Sequence, residues 1–332
     1  MNPSKFPISR IVASLTIGAA TLLGPNVAQS AEQYPDRAIR LIVPFSPGGQ
    51  TDSVSRRLGL ALTALVGQQI VIDNRTGASG TIGSGEAARA RPDGYTMVMA
   101  TASTHAINPT LMVNIPYDAV KDFAPVRALG TGPMSISVHP SVPARNLKQL
   151  IADIKARPAF FSYGTAGVGS VNHLGGELFK SVAGLQKLPF VPYRGAGPAV
   201  QDLVGGQIPM VCTSLNSALP FHRTGRIHTL AVLKEERSAG APEIPTAAEA
   251  GVAGAVAYTF NIVLVPTGTP RSIIDYLNNA LGKVMADNNF ADTLIKIGVD
   301  PITKSSPEHA AEMIKSEIAK WKPLIEKLNL RR

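Results

Sequence analysis

The chain has 332 residues, of which 45% are hydrophobic and 17% are charged. That length is sufficient for two domains with hydrophobic cores, and so apolar a composition excludes an intrinsically disordered chain. The 30 glycines and 26 prolines follow no fixed period, which excludes a collagen-like protein. The single cysteine, Cys212, has no partner for an intramolecular disulfide. A formal charge of +9 raises the question of a nucleic-acid or membrane partner.

The first thirty residues have the pattern of a secretory signal peptide. Lys5 and Arg10 precede an uncharged run over residues 11–23, and small residues follow near Ser30 and Ala31. That run, at about 13 residues, is shorter than the roughly 20 that a membrane span requires. We therefore expect cleavage after Ser30 or Ala31 and a periplasmic location. Removal of Lys5 and Arg10 would lower the formal charge to +7.

The remaining sequence alternates short apolar runs with amphipathic stretches. An apolar run over residues 39–45 precedes an amphipathic stretch over residues 51–66, which predicts a strand and then a helix. Further strands are predicted at residues 69–73, 95–100, 160–163, 190–193, 209–213 and 227–233. A last helix is predicted with Ser306 as its N-cap, Pro307 at its first position and Trp321 on its core face. Strands separated by helices indicate an α/β fold with a mainly parallel sheet.

Three loops follow predicted strands, at the edge where open α/β sheets bind ligands. They span residues 46–52, 101–109 and 163–173. The first and third combine glycines with the start of a helix, whose unpaired amides attract anions, so one ligand could lie between them. The second loop is rich in hydroxyl groups, and such a loop often binds only its own backbone. Asp52 is interpreted as a helix-capping carboxylate rather than a ligand contact.

Other chemistries find less support in the sequence. Residues 83–88 match a dinucleotide glycine pattern, but they follow no predicted strand and the expected acid after the next strand is missing. No nucleophile elbow occurs, the six histidines form no metal-binding cluster, and 5% aromatic residues provide no stacking platform for nucleic acid. We expect no cofactor, no metal and no nucleic-acid partner. His173 stays open between ligand contact and a bond to backbone or water.

The same loops lie within motifs that resemble a known family. The motifs include Pro44-Phe45-Ser46-Pro47-Gly48-Gly49-Gln50-Thr51-Asp52, Ser103-Thr104-His105-Ala106-Ile107-Asn108-Pro109, Tyr163-Gly164-Thr165-Ala166-Gly167-Val168-Gly169-Ser170 and Ile244-Pro245-Thr246-Ala247-Ala248-Glu249-Ala250-Gly251. Along the whole mature chain the sequence is similar to the Bug family, the TctC-like extracytoplasmic substrate-binding proteins of tripartite tricarboxylate transporters.

The resemblance implies a type II periplasmic binding protein fold, or Venus flytrap. In this α/β fold two domains, each with a mainly parallel sheet, are joined by two interdomain crossings. Domain 1 would comprise residues 31–132 plus 253–332, and domain 2 residues 133–252, after a signal peptide over residues 1–30. The resemblance further implies a monomeric, non-enzymatic protein. It would capture a small carboxylate in the interdomain cleft and deliver it to transporter membrane subunits.

Carried onto this chain, the resemblance implies ligand contacts from both glycine-rich loops. The predicted ligand-binding residues, with Ser103 from the middle loop, are Ser46, Gly48, Gly49, Thr51, Ser103, Thr165, Ala166, Gly169, Ser170 and His173. A carboxylate taken out of water needs several good donors, and helix N-termini provide them.

Two further functions and two departures from the family pattern stay open. The protein could instead serve a sensor kinase without transport, or be an exported α/β enzyme that acts on a carboxylate. Thr213 stands where many relatives have an aspartate, so an acidic partner for a ligand ammonium is missing there. Asn261 could offer a polar contact in the cleft or close a backbone turn. We therefore expect a mono- or dicarboxylate that needs no amino group.

Overall fold

A computed structural model describes residues 34–331, so the predicted signal peptide and its cleavage site lie outside the described residues. The strands are β1 (Ile39–Val43), β2 (Ile70–Asn74), β3 (Thr96–Ala100), β4 (Phe123–Val138), β5 (Tyr163–Thr165), β6 (Phe190–Pro192), β7 (Met210–Ser214), β8 (His228–Val232), β9 (Tyr258–Pro266) and β10 (Asp300–Pro301). The helices are α1 (Gln50–Val66), α2 (Thr81–Ala88), α3 (Asn108–Leu111), α4 (Leu147–Ala156), α5 (Val171–Ala183), α6 (Ala196–Val204), α7 (Leu215–Arg223), α8 (Arg271–Ala286), α9 (Asn288–Lys296) and α10 (Pro307–Lys327). Within this part of the chain no helix has the length and apolar character needed to cross a membrane.

Most of the predicted strands and the two predicted helices are confirmed. The amphipathic stretch after β1 forms α1, which ends at Gly67 in the left-handed conformation that glycine adopts readily. Ser306 caps α10 by accepting a hydrogen bond from the His309 amide at 3.1 Å, and Trp321 is buried. The strand predicted at residues 160–163 is displaced. Pro158–Phe160 forms a 3-10 turn and the strand starts only at Tyr163, because proline fixes a helical φ there.

All ten strands within residues 34–331 join one mixed sheet, and its main path runs β2-β1-β3-β9-β4-β7-β5-β6. The outer strands are parallel, β1 with β2 and β3, and β5 with β6 and β7. The central pairings of β9 with β3 and of β4 with β7, β8 and β9 are antiparallel. Parallel pairing is therefore confined to the flanks, where helices provide the crossover connections.

The long strand β4 connects the two flanks of the sheet. Its residues 123–133 pair with β9, and residues 134–138 pair with β7. We call β1, β2, β3, β9, β10 and residues 123–133 the first sheet half, and β5 to β8 with residues 134–138 the second sheet half. The domain boundary predicted at residues 132/133 lies inside β4, and the one at 252/253 precedes β9. The two boundaries remain predictions.

Both faces of the sheet are covered by helices, as a sheet with apolar strands requires. One core cluster contains Leu41 and Met97 from the first sheet half, packed with Leu58 of α1 and Leu281 of α8. Another cluster extends from Ile42 along β4 into the second sheet half. The glycine pattern at residues 83–88 lies in α2, so it does not form a strand-to-helix phosphate loop. A β-carbon at Gly83 would lie 2.6 Å from the carbonyl oxygen of Arg75, so close packing explains that glycine.

Candidate functional site

The loop between β1 and α1 is held by its own carboxylate. Asp52, only 3% exposed, accepts hydrogen bonds from the Gly48 amide at 2.9 Å and from Asn74 Nδ2 at 3.0 Å. Arg56, one helical turn later, adds an ion pair at 2.9 Å. Asp52 therefore orders the loop in front of α1 from within the first helical turn, although Gly49 is the N-cap and no side chain caps the helix. Gly48 lies at φ +86°, a conformation that glycine adopts without strain.

The surroundings of Asp52 keep it ionised. Burial by itself would raise its pKa, but the hydrogen bonds from Arg56, the Gly48 amide and Asn74 outweigh burial and hold the pKa below its ordinary value. The negative charge is therefore paired within the protein. The exposed backbone of Ser46, Pro47 and Gly48 forms the outer part of this loop.

The loop between β5 and α5 is also organised by its own polar groups. Ser170 is the N-cap of α5, where its hydroxyl accepts from the His173 amide at 3.2 Å and donates to the Gly167 carbonyl at 2.7 Å. The fully buried Thr165 accepts from the Gly167 amide at 3.3 Å. These bonds hold the backbone of the β5–α5 loop where α5 begins.

His173 takes part in the same loop. Its Nδ1 accepts a hydrogen bond from the Gly169 amide at 3.3 Å, and its ring packs on Phe190 with centroids 4.2 Å apart. Nε2 lies 3.9 Å from a carboxylate oxygen of Glu177. Of the two roles open for His173, this geometry supports the bond to backbone. The Gly169 amide, predicted to bind ligand, is directed at His173.

Hydrogen bonds connect the β5–α5 loop and the start of α5 to two segments of the first sheet half. Ser103, which follows β3, accepts from the Val171 amide at the first turn of α5, at 3.1 Å. Ser79, in the turn before α2, donates to the Val168 carbonyl at 3.1 Å. Asn108 Nδ2 in turn donates to the Ser79 carbonyl at 3.0 Å. The carboxyl ends of β3 and β5 therefore meet, as an open α/β sheet with a ligand cleft requires.

The turn that carries Ser79 has an unusual backbone. Four successive residues, Gly77 to Gly80, have positive φ, and two of them, Ala78 and Ser79, are not glycine. Each such non-glycine residue costs on the order of 1–3 kcal/mol, and such strain concentrates at functional sites. The sequence predicted no role for Ser79, although the glycines on both sides of the Ala78-Ser79 pair indicate a constrained turn.

At the other side of the first loop, Gln50 and Asn261 form a buried pair. Gln50 Nε2 donates to Asn261 Oδ1 at 3.2 Å. Asn261 lies inside β9 opposite Gly130, so it does not close a turn, and that alternative is wrong. Gln50 belongs to the Ser46–Asp52 motif of the sequence, but nothing in that motif indicates Asn261 as its partner. Thr213 is buried near the end of β7.

The predicted site residues thus fall into two groups. Ser103, Thr165, Gly169, Ser170 and His173 lie together around the start of α5 through the hydrogen bonds given above. Ser46, Gly48, Gly49 and Thr51 precede and begin α1, and Ala166 is half-buried in the β5–α5 loop. Their contact with a ligand remains a prediction.

Burial affects the protonation of two further titratable side chains, those of His105 and Cys212. The segment predicted as a middle loop is helical instead, with a π-helix over Ser103–Ile107 that runs into α3. Burial lowers the pKa of His105, in that π-helix, to about 3, so the ring is neutral at pH 7. Burial raises the pKa of the Cys212 thiol, which keeps it protonated. Within residues 34–331 no three His, Cys, Asp or Glu side chains are grouped so that they could hold a metal ion.

Two α/β halves share a long central strand, and Ser103 and Ser79 of one half are hydrogen-bonded to Val171 and Val168 of the other. This arrangement defines a periplasmic binding protein of the Venus flytrap class. Residues 54–330 match the model of the family described as "Tripartite tricarboxylate transporter family receptor". The chain belongs to this family, whose members are periplasmic solute-binding proteins, and both the predicted family and the predicted fold class are confirmed.

Three similar proteins illustrate the relationship. The protein BugT of Bordetella pertussis is 35% identical over 95% of this chain and 96% of its own length. The solved structure of Rpa4515 of R. palustris with adipate is 34% identical, with a TM-score of 0.84 over 88% of this chain and 97% of that one. MatC of Rhodopseudomonas palustris with bound malate is 29% identical, with a TM-score of 0.81 over 88% of this chain and all of its own.

Proposed function

We propose that the protein captures a small carboxylate between the two sheet halves and delivers it to the membrane subunits of a tripartite tricarboxylate transporter. In this proposal the ligand lies between the β1–α1 loop and the β5–α5 loop. Ser103 and the turn at Ser79 stand at the junction. The protein acts as a carrier and leaves its ligand chemically unchanged.

The observation that carries the proposal is the approach of the α5 N-terminus to the loops of the first sheet half. Val171, in the first turn of α5, donates to Ser103 across the two halves. The amides at the start of a helix of this length carry a partial positive charge, and α1 offers a second such terminus after Gly49. A carboxylate between them would exchange water for several fixed donors.

A carboxylate ligand also agrees with two structures of relatives. Rpa4515 contains adipate and MatC contains malate. Neither adipate nor malate has an amino group, and Thr213 of this chain provides no charge to pair with an ammonium. We therefore propose a ligand that needs no amino group.

The unreactive state of three side chains, which in other proteins act as nucleophiles or bases, favours a carrier over an exported enzyme. His173 directs Nδ1 at the Gly169 amide, and the low pKa of His105 makes it a weak base. The protonated, buried thiol of Cys212 is a poor nucleophile. A carrier needs none of these groups for chemistry, because its function depends only on preferential binding to one conformation.

Calorimetry on the mature chain tests the proposal. We expect succinate, malate or adipate to bind, and aspartate to bind more weakly than succinate. Mass spectrometry should recover the bound acid unchanged after long incubation. Failure of every carboxylate to bind would refute the proposal, and a preference for aspartate over succinate would refute the part that concerns the amino group.

The proposed periplasmic location, transporter partner and monomeric state are each tested by a separate experiment. We propose export to the periplasm with removal of residues 1–30, which N-terminal sequencing of the exported protein checks at Ser30 or Ala31. Loss of ligand uptake on deletion of the transporter membrane subunits distinguishes transport from service to a sensor kinase. Light scattering should give the mass of a monomer.

A further inference from the structure

Two buried amide side chains meet where α1 begins. Gln50 is 5% exposed and Asn261 is fully buried, and a single hydrogen bond of 3.2 Å joins them. The Gln50 amide lies over Gly132 of β4, where a β-carbon would overlap it. Gly132 therefore provides the space that the Gln50 side chain occupies. Gln50 directly follows Gly49, so the pair adjoins the amides of the first α1 turn.

The single bond leaves the two amides half satisfied. Gln50 Oε1 and Asn261 Nδ2 are buried with no hydrogen-bond partner among the described residues. Reversing both amides does not change this result, because each carries one oxygen and one NH2 group. One acceptor and one donor always remain. Buried polar groups are otherwise nearly always bonded, so this exception requires an explanation.

Asn261 is also an unexpected residue at its position in β9. In the segment from Phe260 to Pro266, Asn261 is the one polar side chain among apolar neighbours, and it lies in the interior of the sheet. A polar group in such a place costs stability unless it is bonded. A stabilising apolar residue would fit the strand better, so the amide serves another purpose.

We propose that Gln50 and Asn261 form a specificity subsite for a second, uncharged group of the ligand that both donates and accepts, such as a hydroxyl or a primary amide. This inference rests on the proposed carboxylate function, since the first turn of α1 would hold the carboxylate beside the pair. A hydroxyl satisfies the free oxygen and the free NH2 group at once. A second carboxylate only accepts, so it would turn one oxygen toward Gln50 Oε1 with no proton between them.

Calorimetry with matched acids tests the subsite. One series is butanoate, succinate, 4-hydroxybutanoate and succinamate, and the other is hexanoate, adipate, 6-hydroxyhexanoate and adipamate. In the series that fits the cleft, we expect the hydroxy or amide acid to bind about tenfold more tightly than the dicarboxylate and the unsubstituted acid. Asn261→Leu, of similar volume, should abolish that preference while binding of the unsubstituted acid is kept.

Two further variants make the test decisive. Gln50→Met removes the other amide at a helix start and should abolish the same preference, so the result does not depend on folding of Asn261→Leu. Thr229→Val removes a buried hydroxyl in β8, which bonds Ser137 Oγ at 2.9 Å, and should leave the preference intact. If a dicarboxylate binds most tightly, or if both amide variants keep the preference, the subsite is refuted while carboxylate binding stands. If neither malate nor any of the eight acids binds, the proposed function fails with it.

Discussion

The hydroxyl oxygen of Ser103 accepts a hydrogen bond from the backbone amide of Val171 at 3.1 Å, although 68 positions separate the two residues. Ser103 follows β3 in the first sheet half, and Val171 begins α5 behind the second. Both residues are buried. This bond therefore joins the two halves at the point where the ligand is proposed to bind.

Ser103→Ala should weaken ligand binding by about five- to tenfold, because loss of one buried hydrogen bond costs about 1 kcal/mol and the conformation with the two halves in contact would be less populated. Calorimetry of the variant with the best-binding acid measures the effect. Ser137→Ala is the matched control, since it removes a buried serine hydroxyl in the second sheet half. Equal affinities for Ser103→Ala and wild type would mean that the Ser103 contact does not contribute to binding.

Ser170→Ala should lower the free energy of unfolding by about 1 kcal/mol, because the α5 N-cap is lost. Ser170→Asn should recover most of that stability. Urea unfolding measures both variants. From the family resemblance, Ser170→Ala is also expected to weaken binding by about 1–3 kcal/mol, the range for a lost bond to a charged group. A loss of stability without loss of affinity would assign Ser170 to the cap alone.

His105 should make stability depend on pH below neutrality. Burial lowers its pKa from 6.5 to about 3, so between these values the unfolded chain binds one more proton than the folded chain. The free energy of unfolding therefore falls as the pH falls, by about 1.4 kcal/mol per pH unit for this group. Urea unfolding at pH 7, 6, 5 and 4 should show this slope reduced in His105→Gln. In Ser137→Ala, which removes no titratable group, the slope should match that of wild type, and an unchanged slope in His105→Gln would contradict the prediction.

Trp321→Ala should destabilise the protein by about 3–5 kcal/mol, as expected for loss of a large buried side chain. Trp321 is 1% exposed and donates through Nε1 to Glu317 Oε2 at 2.9 Å, so the variant also leaves a buried carboxylate oxygen without this partner. Circular dichroism during urea unfolding measures the change. Leu60→Ala, at a side chain that is 77% exposed, should stay within about 0.5 kcal/mol of wild type.

Local patterns in the sequence were enough to predict features that depend on neighbours along the chain. The runs that became β1, β2 and β3, the Ser306 cap and the core position of Trp321 are of this kind. They are predictable because helix and strand periodicity and capping act over a few residues. The loops before α1 and α5 were also recognisable, because in each of them a cluster of glycines directly precedes the start of an amphipathic helix.

Only the tertiary structure decided how distant segments pair. The antiparallel pairing of β4 with β9 joins residues more than a hundred positions apart, and an apolar run carries no information about which strand lies beside it. The same holds for Gln50 and Asn261, which are 211 positions apart. The roles of His173 and Ser170 also depend on the tertiary structure. Their residue types alone do not distinguish a ligand contact from a hydrogen bond within the β5–α5 loop. The sequence by itself determined the family, most of the flanking strands, α1 and α10, and the glycine-rich loops, but it did not predict β4, β9 or β10. The three-dimensional packing decided which polar atoms in those loops are already bonded within the protein.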